Sequence, residues 1–366
     1  MEDDRRHMAR VTTMFDIAQL AGVSQATVSR ALSGSPLIAE ATRARVLRIA
    51  RQANYVVNVN ARSLREKRTR AIEVVIPLAV RGRQHMSDPF YLDMLGALSD
   101  ALYANGYDLL LTKRAPWIDG VEANSIQTGR ADGIIIMGQG QDLEALDRFA
   151  SMYPQIVVWG GHLPDHSYVV VGTDNVEGGR RATRHLLHEA GRSRVAFLGD
   201  PAEPEIALRL KGYKQALLDE GREVDERLIF DAPFDAREAR KAAGAVIKRG
   251  VTFDALFCAS DVIAMNTITA LRHAGYAVPD DIAVVGYDDI LMAAQFEPPL
   301  TTISQQIQNG GAIMVELLLS VLNGGAAQTT LLQPDLVVRG SSLPATKHAR
   351  GPALPDETGS AKRRTS

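Results

Sequence analysis

A chain of 366 residues is too long for one hydrophobic core of ordinary size, so we expect at least two folding units. Hydrophobic residues make up 46% of the sequence and charged residues 23%, which is typical of a soluble globular protein. No apolar run approaches the roughly 20 residues of a membrane helix, residues 1–13 lack the apolar stretch of a signal peptide, and the single cysteine, Cys258, excludes an internal disulfide. We therefore expect a cytoplasmic protein with no membrane partner.

The net charge of −2 conceals a difference between the two ends of the chain. Residues 1–70 carry thirteen lysines and arginines against six acidic residues, whereas residues 71–366 carry 28 against 37. A basic N-terminal part on an acidic body predicts that only the N-terminal part meets a polyanion such as DNA.

The pattern of residues 13–57 predicts three short helices in one small domain. Thr13, with Asp16 three residues on, forms a capping-box sequence at the start of the first helix. A tight turn containing Gly22 follows, and Ser24 can cap the second helix. Two helices joined by so short a turn are typical of a helix-turn-helix. The predicted helices cover residues 14–21, 25–32 and about 39–54.

In a helix-turn-helix, the second helix enters the major groove and its N-terminal residues reach base edges. Glutamine suits adenine, arginine suits guanine, and a methyl group can touch the methyl of thymine. Hydroxyl groups suit phosphates, which position the protein without reading the sequence. The predicted base contacts are Gln25, Ala26, Thr27 and Arg30. The predicted phosphate contacts are Thr13, Ser24 and Ser29. A three-helix bundle with no DNA role is the alternative that the pattern leaves open.

Residues 13–32, with the sequence TMFDIAQLAGVSQATVSRAL, resemble the opening of the lactose-repressor (LacI/GalR) family. The resemblance continues through Thr42-Arg43, Asn54-Tyr55, Asn58 and residues 61–64, and it covers about 13–340 in all. It implies a sequence-specific transcriptional regulator with an all-α helix-turn-helix headpiece and an α/β two-lobed sensor domain like the periplasmic binding proteins of type I.

Residues 58–65 could form about two helical turns, and a helix so short is unstable alone in water. The resemblance implies that two such hinge helices, one from each subunit, enter the minor groove and push a leucine between base pairs. The matching leucine is Leu64, with Ala61 packed beside it and Asn58 at the start of the segment. We therefore expect residues 58–70 to be a hinge that orders on DNA. A plain interdomain linker is the alternative.

Residues 71–342 alternate runs of Val, Ile and Leu with amphipathic helix patterns, which predicts parallel sheets covered on both faces. About ten such units are too many for one compact sheet, so we expect two lobes. The resemblance implies three crossovers between them. The segment between Leu111 and Ile134 is short for the family, which predicts a truncated helix there. The predicted first lobe is about 71–190 with 300–322, and the second is about 191–299 with 326–342. Residues 1–12 and 343–366 are expected to be disordered tails.

Two α/β lobes usually bind a ligand in the cleft between them. The resemblance assigns charged and hydroxyl groups suited to sugar hydroxyls, and an aromatic residue, Phe234, that stacks on a sugar face. The candidate ligand residues are Phe90, Asp174, Arg209, Phe234, Ser260, Asp261, Asp288 and Gln305. Structural alternatives remain open for several of them: a helix cap for Asp174, a strand-end turn for Asp288, a surface helix charge for Arg209 and a core position for Phe234.

The resemblance implies a homodimer that binds a pseudo-palindromic operator and responds allosterically to a small molecule. We expect a repressor of carbohydrate-utilisation genes that is released when a mono- or disaccharide binds. A non-sugar effector or co-repression is the alternative within the family. The lactose repressor tetramerises through a C-terminal leucine heptad, and residues 343–366 contain only Leu343 and Leu354 as leucines. We therefore expect a dimer.

An enzyme is the rival class, because many α/β folds carry catalytic sites. The sequence lacks the glycine-rich dinucleotide and phosphate-binding motifs and the G-x-S-x-G turn of hydrolases. Its eight histidines show no H-E-x-x-H spacing. We therefore expect no catalytic residue, no cofactor and no bound metal.

Overall fold

A computed structural model describes residues 13–55, 68–77, 85–113, 115–117, 124–164, 166–233, 236–248 and 250–343, with backbone only for 236 and 237. The chain divides into two compact units, Met1–Thr69 and Arg70–Ser366. The expected N-terminal tail, the hinge residues up to 67 and all of the expected C-terminal tail but Leu343 lie outside the described residues. Among the described helices, none combines the length and apolar character that crossing a bilayer requires.

The N-terminal unit contains the three predicted helices around a small apolar core. Ile17, Val28 and Val46, one from each helix, are fully buried. The third helix starts at Glu40 and ends at Gln52, slightly shorter than predicted. The helix-turn-helix headpiece is therefore confirmed, with α1 at Met14–Ala21, α2 at Gln25–Leu32 and α3 at Glu40–Gln52.

The first lobe of the second unit is a six-stranded parallel sheet with helices on both faces, as the continuous apolar strands predict. Its strand order is β11-β5-β4-β3-β1-β2. The strands are β1 (Ala71–Val75), β2 (Asp108–Thr112), β3 (Gly133–Met137), β4 (Ile156–Trp159), β5 (Val169–Thr173) and β11 (Thr330–Leu332). Helices α4 (Pro89–Ala104) and α11 (Ile307–Leu322) cover one face, and α5 (Leu143–Met152) covers the other.

The second lobe repeats this plan, with strand order β12-β10-β9-β8-β6-β7 and one antiparallel edge strand, β12. The strands are β6 (Val195–Leu198), β7 (Ile229–Phe230), β8 (Ala255–Cys258), β9 (Ala283–Asp288), β10 (Thr301–Ser304) and β12 (Asp335–Val337). The helices are α6 (Asn175–His188), α7 (Pro204–Asp219), α8 (Ala236–Lys248), α9 (Asp261–His273), α10 (Leu291–Gln295) and a 3₁₀ turn at Glu226–Leu228. The two-lobed α/β fold is therefore confirmed.

The division of the chain between the lobes differs from the prediction in three places. Helix α6, expected in the first lobe, packs on α7 and its Ala182, Leu186 and Leu187 join the core of the second lobe. Strand β10, also expected in the first lobe, pairs with β9 of the second, whereas β11 pairs with β5 of the first. Local patterns could not show this, because sheet membership depends on where the chain crosses between the lobes.

The chain crosses between the lobes three times, as the resemblance implies. The crossings lie after β5, between β10 and α11, and between β11 and β12. The β2–β3 connection is short, as expected: its described residues, 113, 115–117 and 124–132, form turns and no helix.

Candidate functional site

Helix α2 presents the predicted base-reading residues on one exposed face. Its N-cap is Ser24, whose hydroxyl oxygen accepts a hydrogen bond from the Thr27 backbone N–H at 3.1 Å. Gln25, Ala26 and Arg30 are exposed, and Thr27 and Ser29 are partly exposed. Burial of Val28 on the opposite side holds the helix in this orientation. The exposed side of α2 can therefore offer an amide and a methyl group from its first turn and the Arg30 guanidinium from its last turn.

The capping box predicted at Thr13 is present and fixes the start of α1. The Asp16 backbone N–H donates to the Thr13 hydroxyl oxygen at 3.3 Å, and the Thr13 N–H donates to the Asp16 carboxylate at 3.0 Å. Gly22 ends the helix with φ of 64°, a left-handed conformation that glycine adopts without strain. These features set where α1 begins and where it ends.

A groove of about 570 Å³ lies between α1 and the start of α2. Its lining includes Ser24 and Gln25 together with Phe15 and Gln19, which the sequence analysis did not select. Phe15 is 53% exposed, so its ring is available at the surface of this groove. The sequence does indicate this exposure, because Phe15 does not lie on the face of α1 that buries Ile17 and Ala21.

The predicted hinge contacts Asn58, Ala61 and Leu64 lie outside the described residues. At the beginning of the second unit, the Arg70 backbone N–H donates to the Asp132 carboxylate at 3.0 Å, and the Arg70 carbonyl accepts from Asp108. The last residue of the predicted hinge is therefore hydrogen-bonded to β2 and to the residue that precedes β3.

In the second unit, Arg209 is the centre of a buried polar group close to the crossings. Its side chain is 4% exposed, and its guanidinium lies 3.8 Å from the ring centroid of Tyr287. Nε donates to Asn175 Oδ1 at 2.8 Å, and Nη1 donates to the Ala259 carbonyl at 2.5 Å and lies 3.7 Å from Asp288 Oδ1. Arg209 is therefore not a surface helix charge. Sequence reasoning missed Asn175 and Tyr287, whose roles depend on contacts far apart in the chain.

Asp288 and Gln305 complete this group. Gln305 Nε2 donates to Asp288 Oδ1 at 2.7 Å, and the Thr173 hydroxyl of the first lobe lies 3.3 Å from Gln305 Oε1. Burial raises the pKa of Asp288 to about 7, although the Arg209 cation opposes this shift. Its backbone φ of 122° is rare for a residue with a side chain and indicates a constrained position. Three of the candidate ligand residues, Arg209, Asp288 and Gln305, are thus brought together.

Three other candidate residues have structural roles in this conformation. Asp174 caps α6 by accepting from the Glu177 N–H at 3.0 Å, and Ser260 caps α9 by accepting from the Ile263 N–H at 3.2 Å. Asp261 is fully buried and accepts from the Thr302 hydroxyl and the Ile290 N–H. These bonds do not support ligand contact at Asp261 in this conformation, and for all three residues ligand binding stays a prediction.

Of the two predicted aromatic contacts, Phe90 is half-buried and Phe234 lies outside the described residues. The Phe90 ring is 6.3 Å from Trp159 and 5.7 Å from Tyr91, centroid to centroid. Phe90 packs against the apolar cores of both lobes, so it lies where they meet.

A helix-turn-helix unit followed by a two-lobed α/β unit is the architecture of a DNA-binding regulator with a sensor-type domain. Comparison with known families agrees. Residues 13–58 match the family described as bacterial regulatory proteins, lacI family, and residues 184–342 match the periplasmic binding protein-like domain.

Relatives extend the match over nearly the whole chain. The transcriptional regulator CelR of Thermobifida fusca is 32% identical over 342 residues, covering 91% of this chain and 98% of CelR. The repressor PurR of Photobacterium profundum is 31% identical, covering 90% of this chain and 98% of PurR. A solved CelR–cellobiose complex superposes with a TM-score of 0.63 at 29% identity, covering 90% of this chain and 99% of that one. The chain belongs to the LacI family, and it is a DNA-binding transcriptional regulator rather than an enzyme.

Proposed function

We propose that this protein represses carbohydrate-utilisation genes in the cytoplasm. It binds a pseudo-palindromic operator as a homodimer, one half-site for each headpiece, and a mono- or disaccharide in the interlobe cleft releases it. Gln25, Ala26, Thr27 and Arg30 read bases, and Leu64 of each hinge enters the minor groove.

The Arg209–Asp288–Gln305 group is the observation that carries the sensor part of this proposal. Convergent polar groups of this kind are typical of small-molecule sites. With a pKa near 7, the Asp288 carboxyl can donate or accept a hydrogen bond at neutral pH, and sugar hydroxyls need both. The similarity to CelR, solved as a complex with cellobiose, favours a saccharide over other neutral ligands.

Release follows from linkage between the cleft and the hinge. A ligand shifts the equilibrium between lobe arrangements only by its differential affinity for them. We infer that the saccharide favours an arrangement in which the two hinge segments are too far apart to fold together on DNA. Because these short segments are marginal helices, a small change in their separation is enough.

A non-sugar effector that strengthens operator binding is the second candidate. The 31% identity to a repressor named PurR favours it, because that identity is almost equal to the identity with CelR. The first candidate predicts that the effector weakens operator binding. The second, acting by co-repression, predicts that the effector strengthens it.

The test begins with genomic DNA fragments selected by the purified full-length protein. Affinity for the selected fragment is then measured with cellobiose, other mono- and disaccharides, and purine bases. We expect one saccharide to weaken binding at least about 10-fold, a coupling free energy of about 1.4 kcal/mol. An Arg209→Lys variant should keep operator affinity and lose the response, because lysine cannot replace the forked guanidinium. A purine base that tightens binding supports the second candidate, and no preference for any fragment contradicts both.

A further inference from the structure

One helical turn before Arg209 on α7, the two lobes touch through a second set of polar side chains. Gln141 Nε2 of the first lobe donates to Glu203 Oε1 of the second at 2.9 Å. The Gln139 backbone N–H lies 3.4 Å from Glu205 Oε1 and donates to it. We call these four residues the interlobe clasp. They form two parallel bonds between segments that are more than sixty residues apart.

The first-lobe side of the clasp is rigid. The Gln139 side chain is fully buried: its Oε1 accepts from the Gly161 N–H at 2.9 Å and its Nε2 donates to the Tyr168 hydroxyl at 3.0 Å. Gly138 and Gly140 have φ of 96° and 65°, so the turn that carries Gln139 and Gln141 requires glycine on both sides of Gln139. The Gln139 backbone N–H is therefore held at a defined position at the end of β3, and Gln141 follows it with an exposed side chain.

The second-lobe side presents two carboxylates at the start of α7. Glu203 occupies the N-cap position, but its side chain makes no capping bond to its own helix and reaches Gln141 instead. Burial raises the pKa of both Glu203 and Glu205. The partial positive charge of the helix N-terminus helps to hold two negative groups so close together. Part of the stabilisation of these two carboxylates therefore comes from Gln141 and Gln139 of the other lobe.

The clasp lies far from the crossings. A change in the angle between the lobes therefore displaces the clasp residues more than residues near the crossings. All three crossings leave the sheet ends formed by β5, β11, β10 and β12. The clasp follows β3, two strands from β5, and precedes α7 after β6, three strands from β10. At about 4.8 Å between strands, these are separations of about 10 and 14 Å. Opening about the crossings must therefore break both clasp bonds.

We propose that the interlobe clasp stabilises the closed arrangement of the lobes without any ligand, so that Gln141 and Glu203 are positioning residues for the switch. The clasp sets the fraction of protein already closed, and this fraction sets the basal operator affinity and the effector concentration needed for release. The inference rests on the proposed function only for the sign of the effect on operator binding.

Opposite charges at position 141 test this directly. Gln141→Lys places an ammonium group against Glu203, and Gln141→Glu places a second carboxylate there. Spin labels on Met152→Cys and Leu218→Cys, which are 65% and 60% exposed on α5 and α7, report the distance between the lobes in the full-length chain. Cys258 is buried and should not react. For ligand-free protein we expect a closed-to-open ratio raised about 3- to 5-fold by Gln141→Lys and lowered as much by Gln141→Glu.

Operator affinity of the same variants separates this inference from the proposed function. If closure releases DNA, Gln141→Lys weakens basal operator binding and Gln141→Glu tightens it. The reverse order supports the clasp and contradicts release by the saccharide. Gln328, exposed before β11 of the first lobe, provides the matched control, since Gln328→Lys and Gln328→Glu make the same charge changes away from Glu203. The proposal would be overturned if the label distances were unchanged in both Gln141 variants. It would also be overturned if the Gln328 variants changed the distances as much as the Gln141 variants do.

Discussion

Asp288 ends β9 with a buried carboxyl group beside the Arg209 guanidinium. A buried charge is tolerated only when it is paired and hydrogen-bonded, and here Gln305 supplies the bond and Arg209 the opposite charge. At the scale of single residues, this balance leaves Asp288 able to change its protonation state near neutral pH.

The raised pKa of Asp288, about 7, predicts a pH-dependent stability. An unfolded aspartate titrates near pH 4, so the folded protein holds one more proton between about pH 4 and 7. The contribution of this group to the free energy of unfolding is therefore greatest below pH 4 and is lost as the pH rises through 7. Asp288→Asn removes the titration.

Urea unfolding at pH 5 and pH 8 measures the effect. We expect Asp288→Asn to differ little from the natural protein at pH 5 and to be the more stable of the two at pH 8. The difference should grow up to about pH 7 and level off above it. A difference that is independent of pH would contradict the assignment of a neutral Asp288 carboxyl at low pH.

Ser24 has two separable roles at one position. As N-cap it bonds to the Thr27 N–H, and as an exposed hydroxyl it is a predicted phosphate contact. Ser24→Ala removes both and should lower the stability of α2 by about 1 kcal/mol. Ser24→Asp keeps the cap but places a negative charge against DNA. Hydrogen exchange of α2 in the full-length chain should therefore be faster only in the alanine variant, whereas operator affinity should fall in both. Unchanged operator affinity in Ser24→Asp would remove Ser24 from the DNA interface.

At the scale of elements, α6 and α7 pack together so closely that Arg209 reaches the crossing. A Cβ atom on Gly212 of α7 would lie 2.0 Å from the Val176 carbonyl oxygen of α6. A methyl group cannot fit against backbone at that distance, so the two helices would have to separate. Their contact therefore positions the guanidinium on α7.

Two glycine-to-alanine substitutions in the second lobe should have opposite effects. Gly212→Ala should lower the free energy of unfolding by about 3 kcal/mol because of overpacking. Gly244→Ala, in α8, meets no atom within 4 Å and should raise it by about 0.5–1 kcal/mol through better helix propensity. Urea unfolding followed by circular dichroism compares the two variants. Similar changes in both would contradict the close α6–α7 contact.

At the scale of the whole molecule, two compact units are joined through a segment that the sequence predicts to be a hinge. DNA recognition and ligand recognition are thus carried by different cores. In the proposed homodimer, each headpiece reads one half of a palindromic site.

Oligomeric state is the prediction that belongs to this scale. The residues after 342 contain too few leucines for a heptad repeat, so we expect a dimer of about twice the 39.7 kDa chain mass. Sedimentation equilibrium of the full-length protein measures this mass. A tetramer would show that an interface other than a leucine heptad joins the dimers.

The sequence by itself determined the features that depend on neighbours in the chain. The Thr13 capping box and the turn at Gly22 follow from residues within four positions of each other, and these local signals predicted where the helices begin and end. The alternation of apolar strands and amphipathic helices was equally local, and it predicted the class of fold.

Only the tertiary structure decided which lobe holds α6 and β10. It also decided that the Asp261 carboxylate accepts hydrogen bonds from Thr302 and Ile290. The same holds for the bonds from Gln139 and Gln141 to Glu205 and Glu203. Each of these joins segments at least 29 residues apart or depends on a crossing between lobes. Which distant segments meet is decided by how the sheets bury their apolar faces together, and a periodic pattern in one segment contains no information about its partner.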